Sequence, residues 1–433
     1  MIRFGTDGIR GRAGQHPVTA EVALAVGRAA AWFAHEHGGR AVVVGRDPRP
    51  SGPLLERSVV SGVCGEGAEA RVAGVLPTSA VATALREGLG DVGVMITASH
   101  NPEPDNGFKV LAPGGRKLTD EEILRLEEWL DAPSQHTASP GSETDIGGEA
   151  WDAYTRSLAQ AIGDVRALVG ARLAVDLANG AAIRTATWLR RHVPAQFVFL
   201  ADGDGPINEN CGAVHPERLA RAVVERGCHA GFAVDGDADR CVLVDELGQV
   251  VPGDGLAWLL TVGLGVRSLA VTVMSNGGLE PSLPGVEVIR TPVGDRHLQE
   301  AISSRGAQLG CEESGHVLFA GGLPTGDGVV TGLRAIAIAF SGATSLSGAQ
   351  SGFHPFPRQI TKVRVQGCPP LEEVELLQVS RRAGEAALGS GGRVFLRYSG
   401  TEPLLRILVE GSDEATVARV STEVTSVARE ALP

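Results

Sequence analysis

Apolar residues recur along the chain in short runs bounded by glycine and proline. These runs alternate with longer segments whose apolar positions repeat at helical spacing. Residues 40–44, 70–75 and 92–96 read as buried strands. The clearest helical pattern begins at Thr19, sets Val22, Val26, Ala29 and Trp32/Phe33 on one face, and stops at Gly38. Thr119 and Glu122 have the spacing of a capping box for a helix over 120–130. Strand–helix–strand order implies a mostly parallel sheet with right-handed crossovers. The same rhythm returns with strands over 173–176, 197–200 and 231–234, and again over 269–273 and 286–289. The last portion differs: strand 361–365, helix 371–388, strands 394–396 and 404–409, helix 415–432, an α+β unit. Stretches rich in small and polar residues, 131–148 and 341–352, read as linkers. The expected division is 1–148, 149–250, 251–352 and 353–433.

Composition narrows the function. A chain of 433 residues is long for one core. Its formal charge of −12 disfavours a nucleic-acid or anionic-membrane partner, so an anionic substrate must be met by local arginines. Of the six cysteines, no two lie at metal-ligand spacing, and they read as small buried hydrophobes in a reducing compartment. The amino terminus lacks a basic-then-apolar signal pattern, and no apolar run is long enough to span a bilayer. A cytoplasmic protein is expected.

Four loops carry the candidate chemistry. The strand at 92–96 runs into TASHNPEPDNGFK, residues 97–109. Its prolines forbid regular structure, and Asn106-Gly107 reads as a turn, which leaves a stiff loop bearing Ser99, His100 and Lys109. A serine hydroxyl becomes a useful nucleophile once a neighbour takes its proton. The second loop, DGDADR, follows the strand at 231–234 and sets Asp235, Asp237 and Asp239 in alternation. Three carboxylates so close repel one another unless a cation is present. An EF-hand is excluded, because Arg240 stands where its sharp turn needs glycine, so a small octahedral ion such as Mg²⁺ fits better. The third loop, GCEESGH, offers Glu312 and Ser314 to vicinal hydroxyls, and its carboxylates can also meet an ammonium. The fourth, RYSGTEP, combines Arg397, Ser399, Gly400 and Thr401, a set that matches phosphate oxygens. Near the amino terminus, FGTDGIRGR is broken by glycines and presents Arg10 to an anion. Judged singly, each loop also reads as an ordinary surface turn.

The four loops, in this order and across essentially the whole chain, resemble the α-D-phosphohexomutase superfamily. The stretches FGTDGIRG, NENCGAVHPE, TVMSNGGL, TPVGDR and RYSGTEPLLRILVEG are most similar to the bacterial phosphoglucosamine mutases. The resemblance implies an α/β fold of four domains in a heart shape around a central cleft: three α/β mixed-sheet domains and a C-terminal α+β domain. It implies conversion of glucosamine 6-phosphate to glucosamine 1-phosphate, toward cell-wall amino sugars, with a glucose or glucosamine 1,6-bisphosphate as activator. Ser99 would be the phosphoserine and, with Asp235, Asp237 and Asp239, would hold Mg²⁺. Arg10 and Arg240 would touch the phosphoryl group, while His100 and Lys109 would move protons. Glu312, Ser314 and His316 would bind the sugar. Arg397, Ser399, Gly400 and Thr401 would grip the other phosphate. A monomer or homodimer is expected.

Three positions depart from the pattern. Cys311 and Glu313 stand where Gly and Gln are usual, and Tyr398 stands where Pro is usual. Glu-Glu-Ser also occurs in glucose-phosphate mutases, so a glucose or mannose phosphate remains an alternative substrate. A sugar-phosphate-binding regulator without turnover and a metal-dependent phosphatase remain alternatives of other kinds.

Overall fold

A computed structural model describes residues 2–5, 7–132, 139–203, 205–342, 345–398 and 403–432. The chain forms two compact units. The first comprises Met1–Met274 with Glu287–Gln350, and the second comprises Ser275–Val286 with Ser351–Pro433.

The first unit opens with a six-stranded sheet: β1 (Ile9–Arg12), β2 (Ala41–Arg46), β3 (Glu69–Val75), β4 (Val92–Ile96), β5 (Asp105–Leu111) and β6 (Glu143–Asp145), in the order β1-β5-β4-β2-β3-β6. The strands from β4 to β6 are parallel, while β5 is antiparallel to both β4 and β1. Three of the five pairings are parallel, as expected of a mostly parallel sheet, and the two antiparallel ones both belong to β5. Asn106 and Gly107, read as a turn, do not turn the chain. Gly107 lies within β5, and a Cβ there would collide with the Ile9 and Thr97 carbonyls. Its missing side chain lets three backbones close on one another, and Lys109 therefore projects from a strand and not from a loop.

Helices cover both faces. Thr19 caps α1 (Ala20–Glu36) by accepting from the Val22 N–H. This helix and α2 (Gly52–Gly65) pack on Val42, Val44, Val92 and Val94. The capping box at Thr119 and Glu122 is present on α4 (Asp120–Leu130), with α3 (Thr78–Arg86) on the opposite face. The stretch expected as the first linker contributes β6, paired to β3 through Glu143–Asp145, because three residues suffice to extend a parallel edge. Residues 133–138 of that stretch lie outside the described residues. Of the second expected linker, 341–342 end the helix Gly328–Gly342 and 346–349 form a short helix, while residues 343 and 344 lie outside the described residues.

A second sheet runs β11-β10-β9-β7-β8, built from β7 (Arg172–Asp176), β8 (Gln196–Leu200), β9 (Ala230–Val234), β10 (Cys241–Asp245) and β11 (Val250–Val251). A third runs β13-β12-β14-β15, from β12 (Ser268–Thr272), β13 (Glu287–Thr291), β14 (Leu309–Cys311) and β15 (Val317–Phe319). Both are mixed. Ser99, Asp235 and Glu312 follow the carboxyl ends of β4, β9 and β14, where open α/β sheets present ligands.

In the second unit β16 (Arg358–Arg364), β17 (Arg393–Tyr398) and β18 (Leu404–Glu410) form an antiparallel sheet in the order β16-β18-β17. Val363, Leu405, Ile407 and Val394 bury one face with Leu377, Val420 and Val424 of two helices, Glu375–Leu388 and Glu414–Ala431. The segment 275–286 joins this unit through side chains. Asn276 bonds the Phe356 backbone in both directions, and the Gly277 N–H donates to the buried Glu410 carboxylate at 2.9 Å. Four cysteines are buried as expected, whereas Cys64 is half-buried and Cys368 exposed.

Candidate active site

Ser99 sits in the left-handed region, with φ of 54°, directly after β4. That conformation costs a non-glycine residue about 1–2 kcal/mol. It turns the hydroxyl toward the acidic loop: Ser99 is fully buried and its Oγ donates to Asp235 Oδ2 at 2.6 Å. His100 Nδ1 lies 3.4 Å from the same oxygen. Burial, followed by the nearby Arg240 and Arg10 guanidinium groups, pushes the His100 pKa down to about 4, so its imidazole is neutral at pH 7.

The acidic loop makes a tight turn in which Ala238 also has positive φ, at 61°. Oxygens of Asp235, Asp237 and Asp239 lie within 4.8 Å of one another, all buried. Burial and repulsion from Asp239 and Asp237 drive the Asp235 pKa up to about 8. Burial also works against the Lys109 ammonium, but Asp237, Asp239 and Asp7 more than offset it, and its pKa lies well above the usual lysine range. Lys109 Nζ is 2.8 Å from Asp237 Oδ2, 2.9 Å from Asp239 Oδ2 and 2.8 Å from Asp7 Oδ2. It can donate a proton or neutralise an anion, but at pH 7 it cannot accept a proton.

The fit of this cluster to a divalent cation rests on its unsatisfied oxygens. Asp237 Oδ1 and Asp239 Oδ1 are buried and have no hydrogen-bond partner. The nearest cations to Asp239 Oδ1 are Arg240 Nε at 3.9 Å and His316 Nδ1 at 3.8 Å, beyond hydrogen-bond range. Orphaned carboxylate oxygens in a low-dielectric site are costly, and a small hard cation relieves both the orphaning and the repulsion. Thr78 Oγ1 donates to Asp237 Oδ2 at 2.7 Å, which leaves Oδ1 as the ligand atom.

The third loop meets the second. Gly315, with φ of 84°, lies against the Cys241 carbonyl so closely that a Cβ would not fit, and residues Arg240 and His316 form a backbone bridge. Glu312 accepts from the Gly294 N–H at 3.1 Å and the Ser314 hydroxyl at 3.0 Å, so both are held in one partly exposed pair. His316 departs from the expected grouping. It is buried between Asp239 and Asp295, 3.5 Å from the latter, because the bridge to Arg240 turns it inward. Burial opposes its charge, but the Asp239 and Asp295 carboxylates on either side raise its pKa to about 9. Arg10, half-buried on β1, donates to Asp7 Oδ2 at 2.8 Å. The Arg240 N–H donates to Asp235 Oδ1 at 3.2 Å.

In the second unit Arg397 is exposed near the end of β17 and pairs directly with Arg406 of β18, also exposed. Both guanidinium groups stand on the strand pair next to the fourth loop. Ser399, Gly400 and Thr401 lie outside the described residues.

The family models agree with this architecture. Residues 1–137 match phosphoglucomutase/phosphomannomutase, alpha/beta/alpha domain I; 254–355 match domain III of the same family, and 360–427 its C-terminal domain. A phosphoglucosamine mutase from Gluconacetobacter diazotrophicus is 39% identical over 438 residues, covering 97% of this chain and 96% of that one. The chain belongs to the phosphoglucosamine mutase family. It is therefore an isomerase of the mutase type. The phosphohexomutase fold recurs in a phosphoglucomutase/phosphomannomutase family protein from Burkholderia thailandensis, with a TM-score of 0.79 at 24% identity over 98% of this chain and 97% of that one. It recurs also in the Aspergillus fumigatus N-acetylphosphoglucosamine mutase, solved with GlcNAc-6P and magnesium, with a TM-score of 0.68 at 18% identity, covering 100% and 96%. Among the described residues no helix is long and apolar enough to cross a membrane.

For this phosphoglucosamine mutase family member, reading loops one at a time missed several residues that the fold adds to the site. Asp7 gathers Arg10, Lys109 and Lys117, and Lys117 reaches on to Asp295 at 2.8 Å. Thr78 orients Asp237, and Asn208 donates to the Ser99 carbonyl at 2.8 Å. Asp7, Asn208 and Asp295 lie in the stretches FGTDGIRG, NENCGAVHPE and TPVGDR, which carried the family resemblance. Thr78 and Lys117 had no such signal.

Proposed function

We propose that the protein interconverts glucosamine 6-phosphate and glucosamine 1-phosphate through a phosphoserine at Ser99 and a sugar 1,6-bisphosphate. The observation that carries this reading is the buried Ser99 hydroxyl, 2.6 Å from one of three clustered carboxylates, the other two of which keep an orphaned oxygen. Its context is a full-length match to relatives that bear the mutase name.

In the forward direction the bond between Ser99 Oγ and phosphorus breaks as a bond from phosphorus to the sugar C1 oxygen forms. The C1 hydroxyl gives up its proton, for which the neutral His100 imidazole, 3.4 Å from Ser99 Oγ, offers an acceptor nitrogen. The 6-phosphate of the bisphosphate then passes to Ser99 Oγ, and the C6 oxygen takes a proton. Asp235, Asp237 and Asp239 would hold Mg²⁺, which supplies charge neutralisation at the phosphoryl oxygens. Arg10, Arg240 and Lys109 add positive charge around the same group. Glu312 and Ser314 offer polar atoms to the sugar, its ammonium included. Arg397 and Arg406 would grip the distal phosphate, together with Ser399, Gly400 and Thr401. The intermediate must present either end to the same groups, so a diffusible 1,6-bisphosphate serves as activator. The division into domains 1–148, 149–250, 251–352 and 353–433 belongs to the same proposal and is supported by four sheets that follow one another along the chain, the second ending at Val251.

The test is isomerisation of glucosamine 6-phosphate by purified protein with Mg²⁺ and a trace of glucosamine 1,6-bisphosphate, beside glucose and mannose 6-phosphates. The highest kcat/KM on the amino sugar is expected, with an added phosphate on Ser99 by intact mass. The alternative is a glucose or mannose phosphate, favoured by Glu313, exposed beside Glu312. A preference for either neutral sugar replaces the first assignment.

A further inference from the structure

Among the described residues Arg49 is the largest side chain that is buried completely. All five of its guanidinium N–H groups are used. Nη1 donates to the Pro102 and Asp105 carbonyls at 2.6 and 2.8 Å. Nη2 donates to the Ser99 and Asn101 carbonyls at 2.9 and 2.8 Å, and Nε to Asp47 Oδ2 at 2.9 Å. A planar fork is the side chain that can meet four convergent carbonyls and a carboxylate together; a lysine ammonium has three donors at one point. With no free N–H and no exposure, Arg49 cannot itself bind a phosphate.

The same Asp47 oxygen accepts the Thr97 hydroxyl at 2.7 Å, and the Thr97 hydroxyl oxygen accepts the Ser99 N–H at 2.8 Å. Both backbone polar groups of Ser99 are thus tied to one buried ion pair, the carbonyl directly and the N–H through Thr97. From the turn that follows β8, Asn208 adds donors to the Ser99 and Asn101 carbonyls at 2.8 and 3.0 Å. The strained φ of Ser99 is the reason such a cradle is needed. A residue held away from its preferred backbone well relaxes unless its surroundings over-determine it.

We propose that Arg49, Asp47 and Thr97 are positioning residues for the serine that carries the phosphoryl group. They fix Ser99 Oγ against the acidic cluster and so govern kcat without contacting the sugar. This rests on the phosphoserine reading above. Both half-reactions use the same oxygen, so a small displacement slows both, while KM, set by other loops, stays put.

The test compares Thr97→Val, which keeps shape but removes the hydroxyl, with Thr97→Ser, which restores it. Thr97→Val is expected to lower kcat roughly 10- to 100-fold with KM for the sugar 6-phosphate within about twofold, as misplacement of a reacting group does. Phosphorylation of Ser99 by glucosamine 1,6-bisphosphate, followed by intact mass, slows in parallel. Thr97→Ser returns kcat to near the wild-type value. Asn208→Ala reads the same quantity from the other side of the loop, and it decides the matter should Thr97→Val not fold. Equal kcat in folded Thr97→Val and wild type, or equal loss in the Val and Ser variants, overturns the proposal. Wild-type protein without mutase activity instead overturns the reading on which it rests, and the two failures are thereby told apart.

Discussion

The serine and carboxylate centre of the first unit and the Arg397 strand end of the second handle anionic groups in opposite ways. In the first, Ser99, Asp235, Asp237, Asp239 and Lys109 are buried, and their positions are fixed by bonds to one another. In the second, Arg397 and Arg406 stand exposed on directly opposed positions of β17 and β18. A reacting group must be located before substrate arrives, because small errors in its position are costly in rate. A group that only holds a phosphate, and must accept either end of a turning intermediate, gains from long side chains in water.

The contrast predicts graded effects. Ser99→Ala should be the most severe, cutting turnover by about a thousandfold or more, since no other hydroxyl can store the group. A steady-state assay with added 1,6-bisphosphate checks it, and full activity would remove the centre's role. Asp237→Asn should follow, losing about a hundredfold in kcat, roughly 3 kcal/mol in the barrier, along with stimulation by Mg²⁺. A Mg²⁺ titration of the variant is the measurement. Arg397→Ala and Arg406→Ala should each raise KM by about tenfold with a smaller change in kcat, the value of one charge-assisted bond lost. A fall in kcat at constant KM would mean that the exposed pair behaves like the buried centre. Glu410→Gln should act on folding alone. It weakens the ion pair to Arg393 at 2.7 Å while keeping an acceptor for Gly277, and should lower unfolding stability by about 1–3 kcal/mol. Thermal unfolding reads this, and turnover of the folded protein should not change.

Sequence reading located the chemistry where its residues are neighbours. Ser99 with His100, and the alternating aspartates, each sit in one short stretch, and apolar runs before them announce the strands that carry them. What it missed is spread along the chain. Thr78 and Asp237 are separated by 159 residues, and Arg49 and Ser99 by 50, so no local pattern links them. The turn reading of Asn106-Gly107 failed for a different reason. Those residues favour turns in isolation, but β5 is flanked by β1 and β4, and pairing on both edges outweighs local preference. His316 looked like a sugar ligand because its neighbours are polar, and only the bridge to Arg240 shows which way it faces.

The second unit draws its segment Ser275–Val286 from the middle of the chain. On the ribosome this has a cost in time. Gly277 emerges 133 residues before Glu410, the carboxylate that receives its N–H. At the usual pace of synthesis that is about ten seconds. During it, Asn276 and Gly277 must wait in water, open to chaperones and proteases, until the last strand of the protein arrives to meet them.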